Sequence, residues 1–179
     1  MRGHAIMVTK KTIVFDTIQG PAAIGYNDGA VARLWLPGMA REKLKVEVRS
    51  WASGAREALG EDGLSKRITA YFEGAPVDFH DPVDISHMTS FEQKILLKLR
   101  EKATRGKVVT YSSLAALAGH PGAARAIGRV MAKNPLPLII PCHRVVRTDG
   151  GMGGFSGPGG RDLKRKMLSL ENALKVYPK

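Results

Sequence analysis

The stretch NPLPLIIPCHRVV, residues 134–146, decides how the rest of the chain is interpreted. Its apolar run, residues 138–140, is typical of a buried extended segment. Pro141 lacks a backbone donor and has a fixed φ, so Cys142 should lie at the end of that run. His143 follows directly, and a cysteine beside a base is a candidate nucleophile because the thiolate is the reactive form. The alternative is a buried structural cysteine.

Composition narrows the class of protein. The chain has 179 residues, enough for one mid-sized domain or two small ones. It contains a single cysteine, which excludes an internal disulfide and a cysteine-rich zinc site and indicates a reducing compartment. Residues 1–11 lack a signal-peptide core, and no apolar run reaches membrane-spanning length. We therefore expect a soluble, cytoplasmic protein.

The net charge of +12 is confined to one half of the chain. Residues 1–87 contain 11 basic and 11 acidic residues, whereas residues 88–179 contain 17 basic and 5 acidic ones. A basic half joined to a neutral half indicates a polyanion-binding region, nucleic acid above all. A charge that serves only solubility is the alternative.

The neutral half reads as a small α/β scaffold. Alternation and turn residues predict three strands, within residues 11–23, 22–26 and 31–36, with a hairpin turn at Asn27-Asp28-Gly29. Apolar spacing predicts a helix over residues 40–58 and a shorter one around residues 64–72. Nothing here looks catalytic, and His4, His80 and His87 lack metal-ligand spacing. Residues 81–87 read as a linker, which predicts domains over 1–84 and 88–179.

The basic half begins with a helix that Thr89 and Glu92 can cap. Two short helices follow, the first capped by Ser112 and the second opened by Pro121 and running to Lys133. This is a helix-turn-helix pattern, although many helix pairs resemble it.

The second of these short helices combines small residues with a basic face. The face consists of Arg125, Arg129 and Lys133 at i, i+4 and i+8 and favours docking on phosphate. Small side chains let a backbone approach a partner closely, which suits either a DNA groove or another helix. The small residues include Ala124, Ala126 and Gly128.

A glycine-rich loop and a last helix complete the chain. Seven of the eleven residues from Gly150 to Gly160 are glycine, which favours a loop that packs on a flat ligand or a flexible linker. The last helix should turn Leu163 and Met167 inward and Lys164 outward. Glu171 at its end would be mildly unfavourable against the helix dipole, which favours a buried partner such as His143; a solvated carboxylate at the helix end is the alternative.

These motifs together resemble the 6-O-alkylguanine-DNA alkyltransferases, the methylated-DNA–protein-cysteine methyltransferases. The resemblance lies in Asn134-Pro135 followed at the family's spacing by Pro141-Cys142-His143-Arg144-Val145, and it extends over residues 89–171. It implies repair by direct reversal: an alkyl group, typically methyl, passes from 6-O-alkylguanine in duplex DNA to Cys142, once and irreversibly, after the base has left the duplex.

The resemblance also assigns roles to single residues. It implies that Cys142 is the nucleophile, His143 its base and Glu171 the residue that orients the histidine. Tyr111 would help rotate the nucleotide and protonate the leaving guanine, and Asn134 would hold the turn before the cysteine.

The resemblance places DNA contacts and a base pocket on the remaining motifs. Arg125 would fill the gap left by the flipped nucleotide. Its DNA-contacting neighbours would be Tyr111, Ala124, Ala126, Gly128, Arg129 and Lys133. The base pocket would be lined by Pro137, Val145, Gly153, Phe155, Ser156 and Gly157.

The predicted architecture is therefore α/β: a ribonuclease-H-like first domain and a mostly helical second domain with a winged helix-turn-helix. We expect no cofactor and no metal, because the zinc that some members hold through cysteines has no cysteine here in the first half. The expected partner is double-stranded DNA carrying alkylated guanine, bound by a monomer.

Three other functions share some of these features but fit the sequence less well. Alkyltransferase-like damage-binding proteins lack the nucleophilic cysteine. A helix-turn-helix regulator would need neither the Pro-Cys-His-Arg element nor the glycine loop. In a papain-like hydrolase the histidine comes from far along the chain.

Overall fold

A computed structural model describes residues 9–52, 56–59 and 61–175. The first half contains a four-stranded sheet with the order β3-β2-β1-β4. The strands are β1 (Lys10–Thr17), β2 (Gly20–Asn27), β3 (Ala30–Trp35) and β4 (Arg56–Leu59). β1, β2 and β3 form an antiparallel meander, while β4 pairs parallel to β1. The predicted meander is thus confirmed, including the hairpin turn, where Asp28 and Gly29 have φ values of 45° and 84°.

The predicted helix over residues 40–58 is wrong in its second part. Helix α1 covers Arg41–Trp51, and residues 56–59 form β4 instead. Leu44 and Val48 are buried, which confirms the apolar face predicted for this helix. The chain leaves the helix because β1 offers an open edge whose backbone groups pair with residues 56–59, and such pairing outweighs local helix propensity. His4 lies outside the described residues.

Helix α2 (Gly63–Phe72) starts with a capping box between Asp62 and Ser65 and packs against β1. The segment predicted as a linker is attached to the sheet, because Val31 donates to the Pro82 carbonyl and accepts from the Asp84 amide. One apolar core runs from Ile13 in the first half to Met167 in the second. The boundary between residues 84 and 88 stays a prediction.

Within residues 88–175 the chain forms four α-helices and a two-stranded parallel sheet. The helices are α3 (Ser90–Lys102), α4 (Tyr111–Leu117), α5 (Ala124–Lys133) and α6 (Gly160–Leu170). The strands are β5 (Val109–Thr110) and β6 (Val145–Val146). The capping box of Thr89 and Glu92 opens α3 as predicted. Packing of α4 against α5 produces the predicted helix-turn-helix.

Both helix starts in this motif differ from prediction. Thr110, not Ser112, caps α4: its hydroxyl accepts from the Ser113 amide at 3.0 Å, so Tyr111 is the first helical residue. A threonine in extended conformation two residues earlier outcompetes a serine already inside the first turn. α5 begins at Ala124, because Gly122 has a φ of 85°, which interrupts the helix after Pro121.

The apolar run before Cys142 is buried but not extended as predicted. Ile140 donates to the Leu136 carbonyl at 2.8 Å, and Leu138 has a φ of 76°, so the run folds into a turn. Asn134 holds this turn, since its amide donates to the Ile140 carbonyl and its oxygen accepts from the Leu136 amide. Side-chain hydrogen bonds of this kind compete with strand formation.

Candidate active site

Cys142 opens a single 3₁₀ turn, Cys142–Arg144, immediately after Pro141. Its amide donates to the Ile140 carbonyl at 2.8 Å, which ties the cysteine to the turn held by Asn134. The side chain is buried, with 5% of the residue exposed, yet it lines two cavities. A buried thiol at the junction of two cavities can meet a ligand while bulk water is largely kept away.

His143 and Glu171 form a fully buried pair across the second half. The His143 Nε2 atom lies 2.8 Å from Glu171 Oε1, and both side chains have no exposed surface. Among the described residues the other ring nitrogen, Nδ1, has no hydrogen-bond partner. The pairing through Nε2 leaves Nδ1 able to take or give a proton. Glu171 therefore has the buried partner that its sequence position predicted.

Two further side chains hold the Glu171 carboxylate. Arg144 donates through Nε to Oε2 at 2.7 Å and through Nη2 to Oε1 at 2.9 Å, and its Nη1 reaches the Ala103 carbonyl at 2.6 Å. The Tyr71 hydroxyl donates to Oε1 at 2.8 Å. Burial alone would raise the pKa of Glu171, but the hydrogen bonds from His143 and Arg144 outweigh it and hold that pKa well below its usual range. The carboxylate is thus ionised near neutral pH.

The nucleophile and its neighbour rest in their neutral forms. Burial raises the pKa of the Cys142 thiol, although Asn134 and Lys164 act in the opposite direction. Burial also lowers the pKa of His143, against the pull of Glu171. Both shifts disfavour charge in a dry site. In such a pair the neutral imidazole can accept the thiol proton as the sulfur attacks a substrate.

Lys164 was predicted to point outward, and this is wrong. The residue has no exposed surface; its ammonium donates to the Val145 carbonyl at 2.6 Å and to the Gly154 carbonyl at 3.2 Å. Burial lowers its pKa to about 8, while the nearby Cys142 acts to raise it. The signal was present in the sequence, because Lys164 lies at i−3 and i−4 from Met167 and Leu168 on the buried face. A lysine there brings a positive charge close to the thiol.

The smaller cavity, of about 340 Å³, is lined by two of the six residues predicted for the base pocket, Phe155 and Ser156, together with Cys142. Its polar rim comes from Tyr111, whose pKa is raised by burial and by the nearby Cys142. The φ of Gly153 is 72°, and an added Cβ would lie 2.8 Å from the Tyr111 hydroxyl, so this glycine lets the loop approach the ring. The lining residues are Tyr111, Gly128, Met131, Ala132, Cys142, Gly154, Phe155 and Ser156.

The larger cavity, of about 750 Å³, reaches from Cys142 to the sheet of the first half. Pro137 and Gly157, predicted for the base pocket, line this cavity and not the smaller one. β3 and the start of α1 form its far wall, a contribution that the sequence did not indicate. The residues of that wall are Arg33, Leu34, Trp35, Leu36, Met39, Ala40, Lys43 and Glu47.

Some predicted residues lie elsewhere. Val145 is fully buried and lines neither cavity, although its carbonyl accepts from Lys164. Ala124 and Ala126 lie on α5 outside both cavities.

Among residues 9–52, 56–59 and 61–175, no group of three His, Cys, Asp or Glu side chains is placed to hold a metal ion. No helix of the described chain is long and apolar enough to span a membrane.

Helix α5 presents a basic face beside the smaller cavity. Arg125 and Arg129 are exposed, while Ile127, Val130 and Met131 are buried underneath. Lys133 is exposed as well, but its ammonium lies 2.8 Å from Glu92 at the start of α3, so part of its charge is neutralised.

Comparison with known proteins bears directly on this arrangement. A family model described as the DNA-binding domain of 6-O-methylguanine DNA methyltransferase matches residues 90–173. A methylated-DNA–protein-cysteine methyltransferase of Metallosphaera sedula is 38% identical over 141 residues, which are 76% of this chain and 86% of that relative. The chain belongs to the methylated-DNA–protein-cysteine methyltransferase family.

Other members of the methyltransferase family match over different lengths. The rat protein is 45% identical over 111 residues, 58% of this chain, and the match spans about half of that relative, 52%. The crystal structure of Mycobacterium tuberculosis OGT in complex with DNA superimposes with a TM-score of 0.76 at 27% identity, covering 91% of this chain and 93% of that one. The agreement confirms the predicted architecture, an α/β first half and a mostly helical second half.

Proposed function

We propose that this protein repairs DNA by direct reversal, taking the alkyl group of 6-O-alkylguanine in duplex DNA onto its own Cys142. The single observation that carries the proposal is the site itself. The chain's one cysteine is buried where two cavities meet, and the histidine that follows it holds the buried Glu171 carboxylate through Nε2 at 2.8 Å. Membership of a family named for transfer to a cysteine supports the same reaction.

Duplex DNA docks on α5 in this proposal. Arg125 and Arg129 face outward from this helix, and small residues keep its backbone close to the surface. Cys142 lies in a cavity, and the alkylated oxygen is stacked inside a duplex, so the nucleotide must rotate out to reach the sulfur. Arg125 would fill the space it leaves. Lys133, paired with Glu92, would contribute less than the two arginines.

The flipped guanine would enter the smaller cavity between Tyr111 and Phe155. There the Cys142 sulfur attacks the alkyl carbon: an S–C bond forms, the C–O bond breaks, and its electron pair stays on the guanine. His143 takes the thiol proton, directly or through a water, and Glu171 stabilises the imidazolium. Tyr111 gives a proton to the leaving base and is replenished from the imidazolium through solvent. The thioether product is stable, so each molecule acts once.

The remaining features of the proposal concern the whole molecule. The protein acts as a monomer on chromosomal DNA in the cytoplasm, and no cofactor is required for the transfer. Residues 88–179 form the DNA-binding and acceptor domain, and residues 1–84 form a scaffold domain whose sheet contributes a wall of the larger cavity.

A duplex containing one 6-O-methylguanine with a labelled methyl group tests the proposal. Excess protein is incubated with the duplex, and the label is counted on the protein and located by peptide mass spectrometry. Stoichiometric label on Cys142, and none on a Cys142→Ala variant, is the expected result. A duplex that binds tightly but keeps its label would refute the transfer and would favour a damage-binding protein.

A further inference from the structure

Tyr71 is a buried side chain that has no role in the reaction proposed above. It lies on α2 in the first half, has no exposed surface, and contacts a carboxylate 100 residues away along the chain. Its hydroxyl lies 2.8 Å from Glu171 Oε1, the same oxygen that faces His143 at 2.8 Å. The Met167 carbonyl, at 3.3 Å, is its second neighbour.

The ring of Tyr71 is held on several sides, so the hydroxyl has a fixed direction. Phe72 and Phe79 pack edge-to-face against it with centroid distances of 5.3 and 6.0 Å. The Arg105 guanidinium lies 5.6 Å from the ring centroid on a third side. Burial and the adjacent Glu171 raise the pKa of Tyr71 well above its ordinary value, so the hydroxyl donates throughout the working pH range.

The two oxygens of the Glu171 carboxylate accept different numbers of hydrogen bonds. Oε2 accepts from Arg144 Nε, whereas Oε1 accepts from Tyr71, from Arg144 Nη2 and from the imidazole. Among the described residues Tyr71 is the only one of these donors that comes from the first half of the chain. Each donor withdraws charge from Oε1, so the hydroxyl weakens the attraction between this oxygen and an imidazolium. It also fixes the rotation of the carboxylate.

We propose that Tyr71 is a positioning residue for the transfer, through which the first half of the chain sets how readily His143 takes and returns the proton of Cys142. The inference rests on the proposed function. Loss of the hydroxyl would concentrate charge on Oε1 and make the imidazole more basic. The thiolate would then form more readily, but the imidazolium would return its proton less readily to the leaving base, and the carboxylate would be free to rotate.

The single cysteine makes this testable without DNA. Iodoacetamide alkylation, followed by intact mass against pH, reports the ionisation of Cys142 alone. For Tyr71→Phe the inflection should fall by about half a pH unit or more, while methyl transfer from the labelled duplex slows by about tenfold. Ile68→Val is the matched control: it removes a methyl group from an equally buried side chain of the same helix and leaves the aromatic neighbours of Tyr71 and its hydrogen bond to Glu171 in place, so its inflection should match wild type.

A variant that keeps the ring and the hydroxyl tests the same idea from the other direction. 3-Fluorotyrosine placed at position 71 is a stronger donor, so the inflection should rise. The proposal is overturned if Tyr71→Phe leaves the inflection unmoved or raises it, if the transfer rate does not change, or if Ile68→Val shifts the inflection equally. Wild-type protein that reacts with iodoacetamide but transfers no methyl group would overturn the proposed function instead.

Discussion

Replacing Glu171 by glutamine removes one charge from the most buried ionic cluster of the molecule. Arg144 would keep its positive charge with 8% of its side chain exposed, and the new amide group would bring N–H donors toward the Arg144 and Tyr71 donors. A buried charge left without its partner and buried donors without acceptors are both unfavourable. The substitution changes neither the volume nor the shape of the side chain appreciably.

The magnitude follows from these contacts. Removing one partner of a buried ion pair costs about 3–5 kcal/mol of unfolding free energy. In a domain of this size each kcal/mol lowers the melting temperature by about 2–4 °C. Glu171→Gln should therefore melt roughly 6–20 °C below wild type at pH 7.

Thermal unfolding followed by circular dichroism measures this difference. Glu101→Gln is the matched control, because Glu101 pairs with Lys98 and Lys102 at an exposed site, and its melting temperature should stay close to wild type. A Glu171→Gln variant that melts within about 2 °C of wild type would show that the cluster is not dry, and the reasoning would fail.

The same pair of proteins makes a prediction about pH. The pKa of Glu171 is lowered in the folded protein, so its contribution is complete above the ordinary value of 4.5 and is lost as pH falls toward the folded value. The gap in melting temperature between wild type and Glu171→Gln should therefore be constant near neutrality and shrink below about pH 4.5. A gap that widened in acid would contradict the assignment.

Three further substitutions test separate parts of the site. Lys164→Met should raise the pH inflection of Cys142 alkylation by iodoacetamide, because the Lys164 ammonium lowers the pKa of the thiol. Lys166 is exposed on the same helix, and Lys166→Met should leave the inflection unchanged. Gly153→Ala should slow methyl transfer by about tenfold or more, since the new Cβ would displace Tyr111. Gly63→Ala, at the start of α2 and outside both cavities, is the control: its new Cβ meets only the end of the Arg67 side chain at 3.7 Å, and its rate should match wild type. A Gly153→Ala rate equal to wild type would refute this account. Arg125→Ala should weaken duplex binding by about tenfold in a titration without altering the iodoacetamide rate, and unchanged affinity would argue against docking on α5.

The structural features that were predicted correctly depend on residues close together in the sequence, whereas most of those predicted wrongly depend on residues far apart. The capping box of Thr89 and Glu92 and the hairpin at Asp28-Gly29 depend on neighbours within four residues, and both were predictable. Strand β4 was missed because its hydrogen bonds go to β1, more than forty residues earlier. Lys164 was misplaced because its residue type favours the surface, although its spacing to Met167 and Leu168 indicated the core.

The sequence alone determined the local chemistry of this protein. The order Pro141-Cys142-His143 supplies a nucleophile beside a base, and the basic residues of the second half indicate a polyanionic partner. Only the tertiary structure decided what surrounds them. Tyr71 meets Glu171 because α2 packs against α6, and Lys164 approaches Cys142 because α6 packs against the cysteine turn. Charge compensation in a dry interior depends on spatial distance between remote residues, and the order of residues does not specify it.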